Sequence, residues 1–194
     1  TLIAKCFPLL HHHHHHLSLS LSLVRSLIRR SELPKDAWMK YALFDASKPY
    51  TRNLIATDHK TYTLLLLCWN PAQESPIHDH PCDGCWLQVV QGGIREVRYN
   101  TELKCIADRT YHADNDDSKL SYITDNLGYH KVGNIDTKDQ MAVTLHLYSP
   151  PFDTCQCWSS CTTNENATND TTNANNLVPY EGKSINYSEY GRIV

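Results

Sequence analysis

His78, His80, Cys82 and Cys85 crowd into one short stretch, Ile77-His78-Asp79-His80-Pro81-Cys82-Asp83-Gly84-Cys85. All four side chains can hold a metal. Residues i and i+2 of a strand share a face, so His78 and His80 can present both imidazoles to one side. Two neutral imidazoles buried together lack partners unless a divalent cation supplies one. An HxH pair alone is a weak signal and needs a third ligand. His130 offers one, in Asn126-Leu127-Gly128-Tyr129-His130, just after a glycine-containing turn and near the start of another strand. Cys82 and Cys85, spaced C-x-x-C, could instead serve a zinc site or a redox pair. No second C-x-x-C lies at zinc-site spacing, so the histidines carry more weight.

Those side chains need a framework. Asn53 to Ala56, Thr61 to Trp69, Trp86 to Val90, Ile94 to Tyr99 and Met141 to Tyr148 are β-branched or aromatic runs separated by turn residues. Gly92-Gly93 between two of them predicts a two-residue hairpin. Before them, residues 24–45 carry apolar residues broken by Pro34. This predicts two short helices, the second beginning near Pro34 with Asp36 in its first turn. A helical preface followed by many short strands implies a mainly β fold, an antiparallel barrel or jelly roll. Residues 23–194 read as a single domain, with the barrel over about 50–158, a polar loop over 159–176 and a C-terminal tail over 177–194. Residues 1–22, with six consecutive histidines at 11–16 and a Leu-Ser alternation, read as a low-complexity or tag-like segment outside the fold.

Composition narrows the function. A net charge of −3 gives no basic footprint for nucleic acid. The apolar run Leu64 to Trp69 is far too short to cross a bilayer. Eight cysteines are scattered rather than packed as in a small secreted framework, and Cys68 sits within an apolar run as a reduced thiol would. A cytoplasmic, monomeric protein is therefore expected. Asn-X-Ser/Thr triplets at Asn166, Asn169 and Asn186 read as chance products of an Asn/Thr-rich composition.

The spacing His78-x-His80-x4-Cys85-x6-Gly92, then Gly128-x-His130-x3-Asn134, resembles the two metal-binding motifs of the cupin superfamily. Cys85 stands where the first motif usually has a glutamate ligand. Within that superfamily the chain resembles the cysteine dioxygenases. The matching segments are Tyr50-Thr51-Arg52-Asn53-Leu54, Leu66 to Asn70, Ile77 to Cys85, Tyr122 to Asn134 and Leu145 to Cys155. The resemblance implies a cupin jelly-roll barrel that oxidises L-cysteine with O2 to cysteine sulfinic acid, feeding taurine, hypotaurine and sulfate supply. It implies Fe2+ on His78, His80 and His130, and a substrate carboxylate held by Arg52 and Tyr50. It further implies a thioether cross-link between Cys85 and Tyr148, His146 orienting Tyr148, and Cys155 near the substrate entrance. Thr144 stands where the hydroxyl partner of His146 is usually Ser, and Cys82 has no counterpart in the pattern. Two other readings compete: a thiol dioxygenase for another small thiol such as 3-mercaptopropionate, and a non-catalytic metal-binding cupin.

Overall fold

A computed structural model describes residues 33–115, 119–160 and 177–194. Segment 1–22, the first expected helix and residues 161–176 of the polar tract lie outside them. The chain enters through helix α1 (Lys35–Met39), where Pro34 caps the N-terminus and Asp36 lies in the first turn. Strands β1 (Tyr50–Thr57), β2 (Thr63–Trp69), β3 (Ile77–His78), β4 (Gly84–Gln91) and β5 (Gly93–Tyr99) follow. Next come β6 (Cys105–His112), β7 (Leu120–Ile123), β8 (Tyr129–Asn134) and β9 (Ala142–Ser149). The last are β10 (Thr154–Ser160), β11 (Leu177–Lys183), β12 (Ser188–Glu189) and β13 (Arg192–Ile193).

One sheet has the order β13-β12-β1-β2-β9-β4-β7, the other β11-β10-β3-β8-β5-β6. This is the mainly β jelly-roll barrel that the strand pattern predicts. Alternation on β9 shows how each face is used. Ala142 and Tyr148 belong to the inner core shared with Ile94 and Val132 of the facing sheet. Val143, Leu145 and Leu147 point the other way, into a second core under Trp38 of α1. The central strand β2 is likewise apolar on both faces, which explains its continuous run Leu64-Leu65-Leu66-Leu67.

Gly92-Gly93 is not a hairpin turn. Its flanking strands β4 and β5 lie in different sheets, so the pair carries the chain across the barrel edge. Gly92 has φ +71, a left-handed conformation that glycine adopts at little cost. The propensity signal for a tight reversal was present, but the partner of each strand is chosen by long-range burial. Strand β6 had no such signal, because most of its residues are exposed. Ser159 and Ser160 continue β10 rather than opening a loop, and pair with Val178 and Leu177. Leu177–Lys183, placed in the tail by sequence, pairs along its whole length with β10.

Gly128 sets the entry to β8. It has φ +102, and a Cβ there would collide with the backbone carbonyl of Tyr99. Gly128→Ala is therefore expected to lower unfolding free energy by ~2 kcal/mol or more. A shift of the urea midpoint to lower concentration checks this, and an unchanged midpoint refutes it.

Candidate metal centre

The three histidines come from two stretches of backbone, His78 and His80 from one and His130 from the other. His78 ends β3, and β3 pairs with β8 so that His78 and His130 are direct cross-strand partners. His80 lies past the end of β3. Its position is kept by Asp79, whose amide donates to the Gln156 carbonyl at 3.0 Å and whose Oδ1 accepts from the Gln156 amide at 2.7 Å. The amide of His80 itself donates to Asp125 Oδ1 at 2.6 Å. The outcome is one cluster: ligand atoms of His78, His80 and His130 all lie within 4.8 Å of one another. Among the described residues this is the group of His, Cys, Asp or Glu that could hold a metal ion.

Hydrogen bonding sets which nitrogen each ring offers. His78 Nδ1 faces the Pro76 carbonyl at 3.0 Å, and a carbonyl only accepts, so Nδ1 carries the proton and Nε2 is free. His130 Nδ1 faces Glu96 Oε1 at 2.7 Å, which frees its Nε2 in the same way. Both ring nitrogens of His80 are buried with no protein partner. A bound cation would satisfy one of them, so the donor set fits a metal. Burial, and next the neighbouring His130, push His78 down to about 3, so its imidazole is neutral and able to ligate at neutral pH. His80 is held low by the same two causes.

Glu96 is a residue of the site that the sequence reading missed. It is buried to 1% exposure, and burial alone would raise its pKa. Hydrogen bonding and charge at His130, then Arg98 and Ser121, overcome that and bring it down to about 2. Its Oε2 also accepts from the Tyr111 hydroxyl at 3.0 Å. The available signal was alternation: with Ile94 facing inward on β5, Glu96 must face inward too. Asp125 and Ser184 were missed as well, and neither has a local pattern to reveal it.

The other expected site residues converge on the same region. Cys85 and Tyr148 are direct partners across β4 and β9. Burial raises both the Cys85 thiol and the Tyr148 phenol well above their ordinary values. His146 Nδ1 lies 3.2 Å from Tyr148 Oη and 4.0 Å from Cys85 Sγ. Its Nε2 lies 2.8 Å from Thr144 Oγ1, which accepts from Trp69 Nε1 at 2.8 Å. Trp69 can only donate, so the Thr144 proton is available to His146 Nε2. With that proton donated, His146 would carry its own proton on Nδ1, facing the Tyr148 oxygen. Arg52 has its guanidinium carbon 5.8 Å from the Tyr148 ring centre, and one of its amino groups donates to Ser184 Oγ at 2.5 Å. Arg52 Nε is buried without an acceptor. The Tyr50 ring packs against Trp69 with centroids 4.5 Å apart and planes tilted by 33°. Cys82 is half-buried and unpaired, and no disulfide forms among the described cysteines.

A double-sheeted β-barrel that gathers three imidazoles into one cluster defines a site that could hold a metal ion. The comparisons narrow this class. The model of the family described as "Cysteine dioxygenase type I" matches residues 3–161. The human protein named "Cysteine dioxygenase type 1" is 32% identical over 170 residues, spanning 84% of this chain and 82% of that one. The zebrafish (Danio rerio) protein of the same name is 32% identical over 160 residues, spanning 81% and 79%. A solved double-stranded β-helix protein from Klebsiella pneumoniae aligns with a TM-score of 0.46 and 13% identity, covering 58% of this chain and 85% of that one. The chain belongs to the cysteine dioxygenase type I family and is an enzyme of the thiol dioxygenase class.

Second-layer carboxylates typically contribute ten- to a hundred-fold to metal affinity. Glu96→Gln keeps the shape but removes the charge behind His130. It is expected to weaken divalent metal binding by about tenfold or more. Competition against a chelator would measure this, and equal affinity would show that Glu96 serves packing alone.

Proposed function

We propose that this chain is an iron-dependent dioxygenase of L-cysteine, converting it with O2 to L-cysteine sulfinic acid. His78, His80 and His130 would hold Fe2+. The observation that carries this reading is a trio of imidazoles, His80 and His130 buried and His78 partly so, with no carboxylate among them, set beside Arg52 and Tyr148. A neutral ligand set favours an anionic substrate such as a thiolate. Nitrogen-only ligation suits several metals, so iron rests on family membership. When bound, iron would supply the redox partner that lets triplet O2 combine with a closed-shell thiolate.

The remaining chemistry belongs to this chain's residues. Arg52 would take the substrate carboxylate through Nε and its amino groups, which supports selection of amino acids over simple thiols. Tyr50 would border the same carboxylate. With Thr144 donating to His146 Nε2, the Nδ1 proton would point at the Tyr148 oxygen and leave the Tyr148 hydroxyl free to donate to the substrate or to oxygen. Cys85, opposite Tyr148, would form a thioether to the ring carbon beside the hydroxyl, with loss of two hydrogens to O2. That bond would restrict Tyr148 and lower the entropic cost of presenting its hydroxyl. Free cysteines suit a reducing cytoplasm.

The test uses protein trimmed of residues 1–22, whose histidine run would confound metal content, after reconstitution with iron. O2 uptake with L-cysteine and formation of sulfinate are expected, with loss of both on replacing any of the three histidines by Ala. Removing a charge-assisted partner costs about 1.5–3 kcal/mol, or roughly ten- to a hundred-fold. Arg52→Ala should raise KM for L-cysteine by about that factor while narrowing the preference over cysteamine, which has no carboxylate. Full activity with zinc alone would overturn the iron reading. Preferential turnover of 3-mercaptopropionate would move the reading to another thiol. A metal-loaded protein inert towards every thiol would be a binding cupin.

The cross-link has its own readout. Wild type should run as two bands on a denaturing gel, the faster growing with iron, O2 and L-cysteine and resisting reductant. Cys85→Ser should give one band and reduced, not abolished, activity. A protein cycled through many turnovers with no peptide joining residues 85 and 148 would remove the cross-link.

A further inference from the structure

Arg98 takes no part in the chemistry above. Ile94, Glu96 and Arg98 occupy alternate positions of β5, so all three project into the barrel. Arg98 is also the direct cross-strand partner of His130. One of its amino groups donates to Glu96 Oε2 at 3.1 Å, to Ser121 Oγ at 2.9 Å and to the Tyr122 carbonyl at 2.8 Å. Its side chain is 16% exposed, and its Nε is buried without an acceptor. Glu96 is thus the acid that meets this charge among the described residues. The two oxygens of Glu96 divide their partners. Oε1 faces His130 Nδ1 at 2.7 Å, whereas Oε2 accepts from Arg98, from Ser121 at 2.8 Å and from Tyr111 at 3.0 Å.

We propose that Arg98 is a positioning residue of the metal centre: it holds Glu96 by Oε2 and offsets its charge, so that a metal on His78, His80 and His130 is kept in its divalent state. A carboxylate behind a ligating imidazole makes that imidazole a stronger donor. Uncompensated, Glu96 would pass its full charge to His130 and favour the higher of two oxidation states. Arg98 and the two hydroxyls draw that charge to Oε2, and less of it reaches Nδ1. The inference rests on the reading of the three histidines as iron ligands, because a reducing, divalent iron is what the proposed O2 chemistry requires. The competing role is a clamp, since Arg98 on β5 reaches Ser121 and Tyr122 of β7 in the other sheet. The two roles differ in sign. Loss of a clamp loosens the site and weakens cation binding, whereas loss of a neutralising charge strengthens it.

The experiment compares the full chain with Arg98→Met, which keeps an apolar stem, and Arg98→Lys, which keeps the charge. Co2+ alone is the first probe, titrated against a chelator. His80→Ala, which retains the histidine run at 11–16, supplies the background of that run. Arg98→Met should bind Co2+ about threefold to tenfold more tightly than wild type, and Arg98→Lys should stay close to wild type. In the Glu96→Gln background, where no carboxylate is left unpaired, adding Arg98→Met should again tighten binding. Loaded with iron, Arg98→Met should show a lower Fe(III)/Fe(II) potential, by about 59 mV for each tenfold that ferric binding gains on ferrous. A redox titration of the ferric EPR signal reads this. Equal or weaker Co2+ binding in both Arg98→Met chains, a potential that is unchanged or raised, or an Arg98→Lys chain that matches Arg98→Met overturns the proposal. Wild type that binds no more Co2+ than His80→Ala overturns the three-histidine reading, and the proposal falls with it.

Discussion

Burying three imidazoles against one another requires that each stay neutral and each keep a lone pair turned inward. The metal centre depends on that constraint more than on any single ligand. An imidazolium at any of the three positions would repel the cation it is meant to hold. Desolvation enforces neutrality at His78 and His80. Fixed acceptors then choose the tautomer: the Pro76 carbonyl at His78 and the Glu96 carboxylate at His130. The carbonyl acceptor adds no charge to the site. The carboxylate does, and its negative charge is met by Arg98 at 3.1 Å rather than left to the cluster.

The second dependency is register. Because side chains alternate along a strand, a slip by one residue would turn an entire set to the wrong face. β9 shows what is at stake. Thr144, His146 and Tyr148 occupy its inward positions, while Val143, Leu145 and Leu147 fill the outer core. The outer residues hold the inner ones in place, so three polar side chains form a chain of hydrogen bonds inside the barrel. The same register sets Cys85 against Tyr148 and His78 against His130. Packing on the outside of the sheet is therefore part of how the site is built.

What could be read from the residues follows from range. The HxH pair, the glycine before His130 and the alternation on β9 are local, and each appears as a spacing in the chain. Glu96 was visible in principle, as a charged residue on an inward position, but nothing local identifies its partner. Gly92-Gly93 misled for a related reason. Turn propensity reports that the chain bends, whereas which strand it joins next depends on burial far along the sequence. β6 and β11 carried little hydrophobic pattern because they are edge strands exposed to solvent.

Charge balance links the metal centre to its proposed substrate. Glu96 and Arg98 offset each other, and the His78 and His80 imidazoles are neutral. Arg52 adds one positive charge, with Nε unpartnered and Ser184 as its side-chain contact. A divalent cation in the cluster would bring the local excess to three. L-cysteine bound as a thiolate and carboxylate returns two negative charges, and a neutral amine removes the ammonium that would otherwise oppose binding. Cysteamine returns only one. Electrostatic matching in a site shielded from water is worth more than the same pairing in solution. Discrimination on the proposed reading thus comes from the separation of the two positive centres, one at each end of a short amino-acid thiol.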